Sequence, residues 1–186
     1  MLVCGIDEAG RGPLAGPVTA AAVVLPEGFP TEELGDSKAL SPARRERLVP
    51  LIRTRSRAWA VGWASHGEID RVNILRASHI AMRRAIEELR ALGEDVGLME
   101  TIVDGSVLPE LGVPARALIK ADATVPAVMA ASILAKVARD RWMVRYAQLE
   151  PEYEFERHKG YPTPRHRELV ARLGPSRIHR LSFRSG

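Results

Sequence analysis

One cysteine, Cys4, stands in a chain of 186 residues, so an internal disulfide is impossible and a cysteine-rich zinc site is excluded. No stretch approaches the ~18 uninterrupted apolar residues of a membrane-spanning helix, and the N-terminus lacks the basic and apolar segments of an export signal. A cytoplasmic protein that touches no membrane is expected. Neither an internal repeat nor a low-complexity segment is present, which excludes solenoids and rods. Lysine is scarce too: four lysines stand against 23 arginines, so the place of each lysine carries information.

What is present is ordinary globular material, 46% hydrophobic and 27% charged. The length suits one domain spanning residues 1–186, with a helical C-terminal segment from about residue 151. Twenty-seven basic against 23 acidic residues give a formal charge of +4, which permits a polyanionic partner without requiring one.

Apolar runs over Leu2 to Ile6 and Val18 to Leu25 read as strands, and the Gly10-Arg11-Gly12-Pro13 and Gly16-Pro17 turns between them allow an antiparallel pair. Alternation around Trp59, Val61 and Trp63 gives a third strand over Arg57 to Ala64. Two more short strands, Glu100 to Val103 and Arg116 to Ile119, each lead to an aspartate, Asp104 and Asp122. Ser41-Pro42 opens a helix that Pro50 is expected to kink or divide. Ile74 to Leu92 is the clearest helix, with Leu75, Ser78, Met82, Ala85, Ile86 and Leu89 on its apolar stripe. A long helix from Pro126 to about Leu149 carries Leu134, Ala138, Trp142 and Tyr146 at four-residue steps, and a last helix is expected from Pro164 to Leu173.

The chemistry concentrates in carboxylates. Asp7 and Glu8 sit where the first strand meets the glycine loop, and because strand side chains alternate, both reach one site only if the chain leaves strand geometry there. Asp104 and Asp122 also follow apolar segments, so three strand ends can converge on one sheet edge. Four crowded carboxylates repel one another and call for cations or raised pKa values. An oxygen-only set suits Mg²⁺ or Mn²⁺, and two such ions suit phosphodiester hydrolysis. The spacing of Gly10, Gly12 and Gly16 departs from a dinucleotide fingerprint, and Pro17 with a Val/Ala strand follows where a helix would be needed.

The segment Gly5-Ile6-Asp7-Glu8-Ala9-Gly10-Arg11-Gly12-Pro13-Leu14-Ala15-Gly16-Pro17 resembles the signature of type 2 ribonucleases H, the ribonuclease HII family. Asp36-Ser37-Lys38-Ala39-Leu40-Ser41, Val103-Asp104-Gly105, Lys120-Ala121-Asp122, Ala130 to Val137 and His158-Lys159-Gly160-Tyr161-Pro162-Thr163 continue the resemblance in the family's order over nearly the whole chain. A Gly-Arg-Gly loop and a first strand starting near Leu2 favour type 2 over the sister ribonuclease HIII.

The resemblance implies an α/β ribonuclease H-like fold, a mixed five-stranded sheet flanked by helices with a helical C-terminal segment. It implies an endoribonuclease that cleaves on the 5′ side of ribonucleotides in RNA/DNA hybrids or in duplex DNA. Asp7, Glu8, Asp104 and Asp122 are implied as metal ligands holding two Mg²⁺ or Mn²⁺ ions, Asp7 shared between them, with no protein nucleophile. Gly10, Arg11 and Gly12 are implied to read the 2′-hydroxyl largely through backbone groups, which suits glycine's close approach to a sugar. Tyr161 is implied to pack on the sugar that follows, giving preference for an RNA-to-DNA junction. Lys38 and Lys159 fall in matched motifs and are expected to bind phosphate.

Other residues read more plainly. Lys136 and Asp140 form an i,i+4 pair, Ser132 reads as helix packing, and the arginines of the 44–57 segment and of the 165–184 tail are taken individually as solvated faces. His158, His166 and His179 receive no catalytic role. No protein partner is expected, since no clamp-docking extension follows the tail, and the chain is expected to be a monomer. The rivals are a non-catalytic nucleic-acid-binding module, which leaves the strand-end acids unexplained, and a nucleotide-cofactor enzyme, which the loop context opposes.

Overall fold

The computed structural model describes residues 2–34 and 40–183. Strands β1 (Val3–Ala9), β2 (Val18–Val24), β3 (Ala58–Ala64), β4 (Glu100–Asp104) and β5 (Ala115–Leu118) form one mixed sheet in the order β3-β2-β1-β4-β5. The β1–β2 and β2–β3 pairs are antiparallel, whereas β1–β4 and β4–β5 are parallel. All three parallel strands therefore end on the same edge. That edge is where the strand-end acids lie.

Helices cover both faces, which is why β2, Val18-Thr19-Ala20-Ala21-Ala22-Val23-Val24, is buried throughout. On one face Cys4, Ile6, Ala20 and Ala22 pack with Ala77, Ala81, Ala85 and Leu89 of the helix Ile74–Ala91. On the other, Ala21 and Val23 meet Ala130 and Leu134 of the helix Pro126–Tyr146, with Leu48 and Ile52 of the helix Pro42–Arg55 behind them. In chain order the helices are α1 (Pro42–Arg55), α2 (His66–Val72), α3 (Ile74–Ala91), α4 (Ala121–Thr124), α5 (Pro126–Tyr146), α6 (Phe155–His158) and α7 (Pro164–Leu173).

Three expectations need correction. Pro50 does not divide α1: the helix runs through it, with Leu48, Val49 and Ile52 buried around it. The deepest stripe of α5 is Ala127, Ala131, Ala135, Arg139 and Met143, one position away from the Leu134–Ala138–Trp142–Tyr146 row, of which only Leu134 is fully buried. The helix also stops at Tyr146, short of Leu149. A further helix, α2, opens with a reciprocal capping box, Ser65 Oγ accepting from the Glu68 N–H and a Glu68 carboxylate oxygen from the Ser65 N–H.

The C-terminal segment grips the loop between β1 and β2. Tyr153, Phe155 and Ile178 pack with Ala15 and Met143. The backbone ties this contact down, with Gly16 N–H donating to Ile178 O at 2.9 Å and Arg180 N–H to Leu14 O at 2.9 Å.

Candidate active site

Strand β1 stays regular through both acids, Asp7 standing opposite Ala21 and Glu8 opposite Ala20. The chain therefore does not leave strand geometry at the acidic pair, contrary to the requirement drawn from the sequence. The turn comes later, at Gly10, whose φ is +98°. Alternation then sends Asp7 to the α5 face with Ala9, and Glu8 to the α3 face with Leu75, His79 and Met82. Glu8 still shares a pocket of about 240 Å³ with Asp104, because Asp104 ends its strand at the rim.

Asp7, Asp104 and Asp122 present carboxylate oxygens that all lie within 4.8 Å of one another. Asp104 closes β4, and Asp122 sits in the single turn α4 that follows β5, where its N–H donates to Asp104 Oδ1 at 3.3 Å. Asp7 and Asp122 are buried and Asp104 is half-buried. Burial first, then the charges of Glu8 and Asp104, push the Asp7 carboxyl well above the usual carboxylate range; hydrogen bonding to Ser132 and the 2.7 Å bond from the Glu8 N–H act the other way. Burial also raises Glu8, against the pull of Arg11, whose guanidinium lies 3.3 Å away. Ser132 thus meets Asp7 rather than serving helix packing alone. Three repelling oxygen donors at one point fit a hard divalent cation, which would replace the missing counter-charge.

The glycine loop and Tyr161 stand side by side. A methyl placed on Gly12 would lie 3.9 Å from Tyr161 Cε1, and Leu14 N–H donates to Gly160 O at 2.8 Å. Arg11 is exposed and turned to Glu8. Lys159 donates to Glu156 O of its own turn and lines a separate groove of about 560 Å³ with Lys136 and Asp140, away from the carboxylates. Lys136 and Asp140 pair at 2.9 Å, and the Lys136 ammonium also sits 4.9 Å over the Tyr161 ring. Lys38 lies outside the described residues.

Two arginines escaped the sequence reading. Arg139 and Arg180 are 0% and 2% exposed, so Arg180 is no solvated tail residue. Arg139 donates to Pro17 O, Ala15 O and Lys159 O at 2.9–3.0 Å. Arg180 donates to Gly10, Arg11, Pro13, Gly16 and Pro17 carbonyls at 2.6–3.2 Å. The glycine loop is thus wrapped around two guanidinium groups. The signal for Arg139 was its place four residues from Ala135 and four from Met143, on the buried stripe; nothing local marked Arg180.

The histidines are equally interior. Gly160 N–H and Ser176 N–H donate to Nδ1 of His158 and His179, which places the protons of those rings on Nε2. His179 then donates to His166 Nε2 at 3.0 Å, and His166 Nδ1 donates to Tyr161 O at 2.9 Å. All three rings are neutral in this chain of bonds. Burial, the leading cause, pushes His166 and His179 down to about 4 and His158 down as well.

A mixed sheet with this strand order, carrying an acidic cluster on its parallel edge, is a ribonuclease H-like fold with a site suited to a hard divalent cation. The family model for ribonuclease HII matches residues 4–185. A ribonuclease HII of Laribacter hongkongensis is 53% identical over 183 residues, covering 97% of this chain and 90% of that one. Among solved structures, ribonuclease H2 from Pyrococcus horikoshii superposes with a TM-score of 0.78 at 29% identity, covering 100% of this chain and 95% of that one. The ribonuclease HII in a PCNA complex from Archaeoglobus fulgidus gives 0.78 and 29%, covering 99% and 96%. This chain belongs to the ribonuclease HII family, endonucleases that act on RNA/DNA hybrids.

Proposed function

We propose that this chain hydrolyses the phosphodiester on the 5′ side of a ribonucleotide, in a hybrid or embedded in duplex DNA, and that Asp7, Glu8, Asp104 and Asp122 carry the reaction. Water adds to phosphorus, the P–O3′ bond breaks, and the products are a 3′-hydroxyl and a 5′-phosphate. The observation that carries the reading is the convergence of the Asp7, Asp104 and Asp122 oxygens within 4.8 Å, with Asp104 also lining a pocket beside Glu8. Asp7, Glu8, Asp104 and Asp122 would hold two divalent cations, Mg²⁺ or Mn²⁺, whose Lewis acidity would act at the scissile phosphate. Asp7, whose carboxyl feels the charges of both Glu8 and Asp104, would be the ligand shared by the two ions.

The remaining residues select the substrate. Backbone groups of Gly10, Arg11 and Gly12 meet the 2′-hydroxyl, which distinguishes RNA from DNA. The Tyr161 ring, beside Gly12, supports the next sugar and disfavours a second 2′-hydroxyl, so an RNA-to-DNA junction is preferred. Arg11, Lys38 and Lys159 bind phosphates. Residues 1–186 work as one catalytic domain, the segment from about 151 holding the loop in place.

The partners are the hybrid and ribonucleotide-containing duplex DNA, bound by a monomer in the cytoplasm. No helix among the described residues is long and apolar enough to cross a membrane. The A. fulgidus relative was solved with PCNA; co-purification with such a clamp is the check on a nucleic-acid-only partner set.

A duplex with one embedded ribonucleotide, incubated with Mg²⁺ or Mn²⁺, tests the reading. Cleavage beside the ribonucleotide that disappears in Asp104→Asn is expected. No cleavage, or cleavage unchanged in that variant, overturns it.

A further inference from the structure

The two loops that select the substrate are joined by a backbone bond, Leu14 N–H to Gly160 O, and by one side chain that reaches both. Arg139 enters from α5 and sends Nε to Pro17 O and Nη2 to Ala15 O, both in the glycine loop, while Nη1 reaches Lys159 O, two residues before Tyr161. Arg180 differs: its five bonds all stay within residues 10–17. None of these eight bonds goes to a carboxylate. Backbone carbonyls accept all eight bonds and are thereby committed inward, with the Tyr161 and Phe183 rings beside the Arg139 and Arg180 guanidinium groups.

Sequence and packing around Arg139 are arranged for this bridge. A Cβ on Gly10 would fall 2.2 Å from Arg139 Nε and 2.4 Å from its Cδ, so the arginine occupies the space that a side chain at position 10 would need. Gly160, at φ +83°, lets the Tyr161 loop come close: a Cβ there would fall 2.6 Å from Ala15 O, the carbonyl that also accepts from Arg139. Only a planar fork with separated donors reaches three carbonyls on two loops at once; a lysine ammonium offers its donors from a single point. The Arg139 guanidinium also lies 5.7 Å from the Tyr161 ring centroid, within cation–π range, so the bridge touches the ring as well as its loop.

The geometry points to Arg139 as a positioning residue for specificity: by tying the glycine loop to the Tyr161 loop, it sets the spacing at which a ribose and the sugar after it are read together. This rests on the proposed reading of those two loops. It touches no substrate itself. The spacing matters most where the two sugars differ, at an RNA-to-DNA junction, and less within a continuous RNA strand, where Tyr161 has no deoxyribose to select.

The experiment compares kcat/KM on two duplexes, one with a single ribonucleotide followed by deoxyribonucleotides and one with a continuous RNA strand. The ratio of the two is the junction preference. Wild type, Tyr161→Ala, Arg139→Lys and Gly160→Ala are measured with Mn²⁺, alongside their melting temperatures. Arg139→Lys keeps the charge and loses the fork; Gly160→Ala keeps the arginine and forces the loops apart. Both are expected to lower the junction preference about tenfold, mainly through kcat on the junction substrate, as a displacement of under an ångström does in a preorganised site. A variant that only loosens the fold loses both activities together and leaves the ratio unchanged. An unchanged ratio in both variants overturns the inference, and if Arg139→Lys does not fold, Gly160→Ala decides. If wild type shows no junction preference, or Tyr161→Ala keeps all of it, the reading of the loops themselves falls, and this inference with it.

Discussion

The site edge has two corners of opposite sign, and they handle buried charge in opposite ways. At the ends of β1 and β4 and in the turn after β5, Asp7, Asp104 and Asp122 crowd their oxygens within 4.8 Å, and the Asp7 carboxyl is driven upward by burial and by its neighbours. Under the glycine loop, Arg139 and Arg180 are as deeply buried, yet eight backbone carbonyl contacts satisfy them. Burial, followed by the charge of Arg139, lowers Arg180 to about 9, which still leaves it protonated at neutral pH. The acidic corner stores repulsion that a bound cation relieves. The basic corner is complete in the folded chain, so its charge shapes backbone rather than waiting for a ligand.

The largest expected effect comes from removing one charge at the acidic corner. Asp7→Asn should lower the cleavage rate more than about a hundredfold, as loss of a preorganised electrostatic group does. In metal-free buffer the same variant should melt higher than wild type, because the buried carboxyl, whose raised pKa makes folding costly above its ordinary titration range, is gone. Adding Mn²⁺ should then raise the melting temperature of wild type and leave the variant nearly unmoved. A variant that melts lower without metal and keeps its Mn²⁺ response would abolish the contrast.

The basic corner should respond in the reverse sense. Arg180→Met takes the side-chain donor from five loop carbonyls, of which Pro17 O keeps Arg139, and should cost about 4 kcal/mol, on the order of 1 kcal/mol for each of the four left unpaired. For a chain of this size that is a fall of roughly 8–16 °C in melting temperature, with or without metal. A melting temperature within a degree or two of wild type would show that the loop does not need its guanidinium.

Acid should also weaken the basic corner through the neutral histidines beside it. His166 and His179 are held near 4 when folded against an ordinary value of 6.5. A depressed folded pKa means that the unfolded chain takes up the protons first. The contribution is therefore whole above about pH 6.5 and is lost progressively as pH falls toward about 4. Urea midpoints measured between pH 7.5 and pH 4.5 should fall across that window, and His166→Phe should flatten the dependence; an unchanged slope in the variant would remove His166 from the account.

The smallest effect belongs to an ordinary surface pair. Lys136→Gln breaks the i,i+4 pair with Asp140 at 2.9 Å, where both side chains are about a quarter exposed. A change of under about 0.5 kcal/mol in unfolding free energy is expected, and it should shrink further in high salt. A cost above 1 kcal/mol would mean that the ammonium's place over the Tyr161 ring matters more than the pair.

Much of the frame was legible from pattern. Glycine turns, apolar runs and the Ser41-Pro42 helix opening located the five strands and the long helices, because those signals are local. The box Ser65-His66-Gly67-Glu68 that opens α2 was equally local and went unread. The strand-end aspartates could be singled out by their recurrence, and their family motifs assigned them together.

Only the tertiary structure decided how the corners are built. Which faces Asp7 and Glu8 take depends on whether β1 is still paired with β2 at those residues, a matter of register between strands. The cradle under the glycine loop depends on Arg139 and Arg180, respectively 122 and 163 residues from Pro17, whose carbonyl both of them bind. A lone arginine in sequence looks the same whether it meets water or a ring of carbonyls. The residues alone determined where the strands and helices lie, because periodicity is written along the chain, and their motifs carried the family resemblance that implied the fold class and the acidic set. Charge burial was settled in three dimensions, because a guanidinium or a carboxylate is stabilised by whatever the fold brings to it.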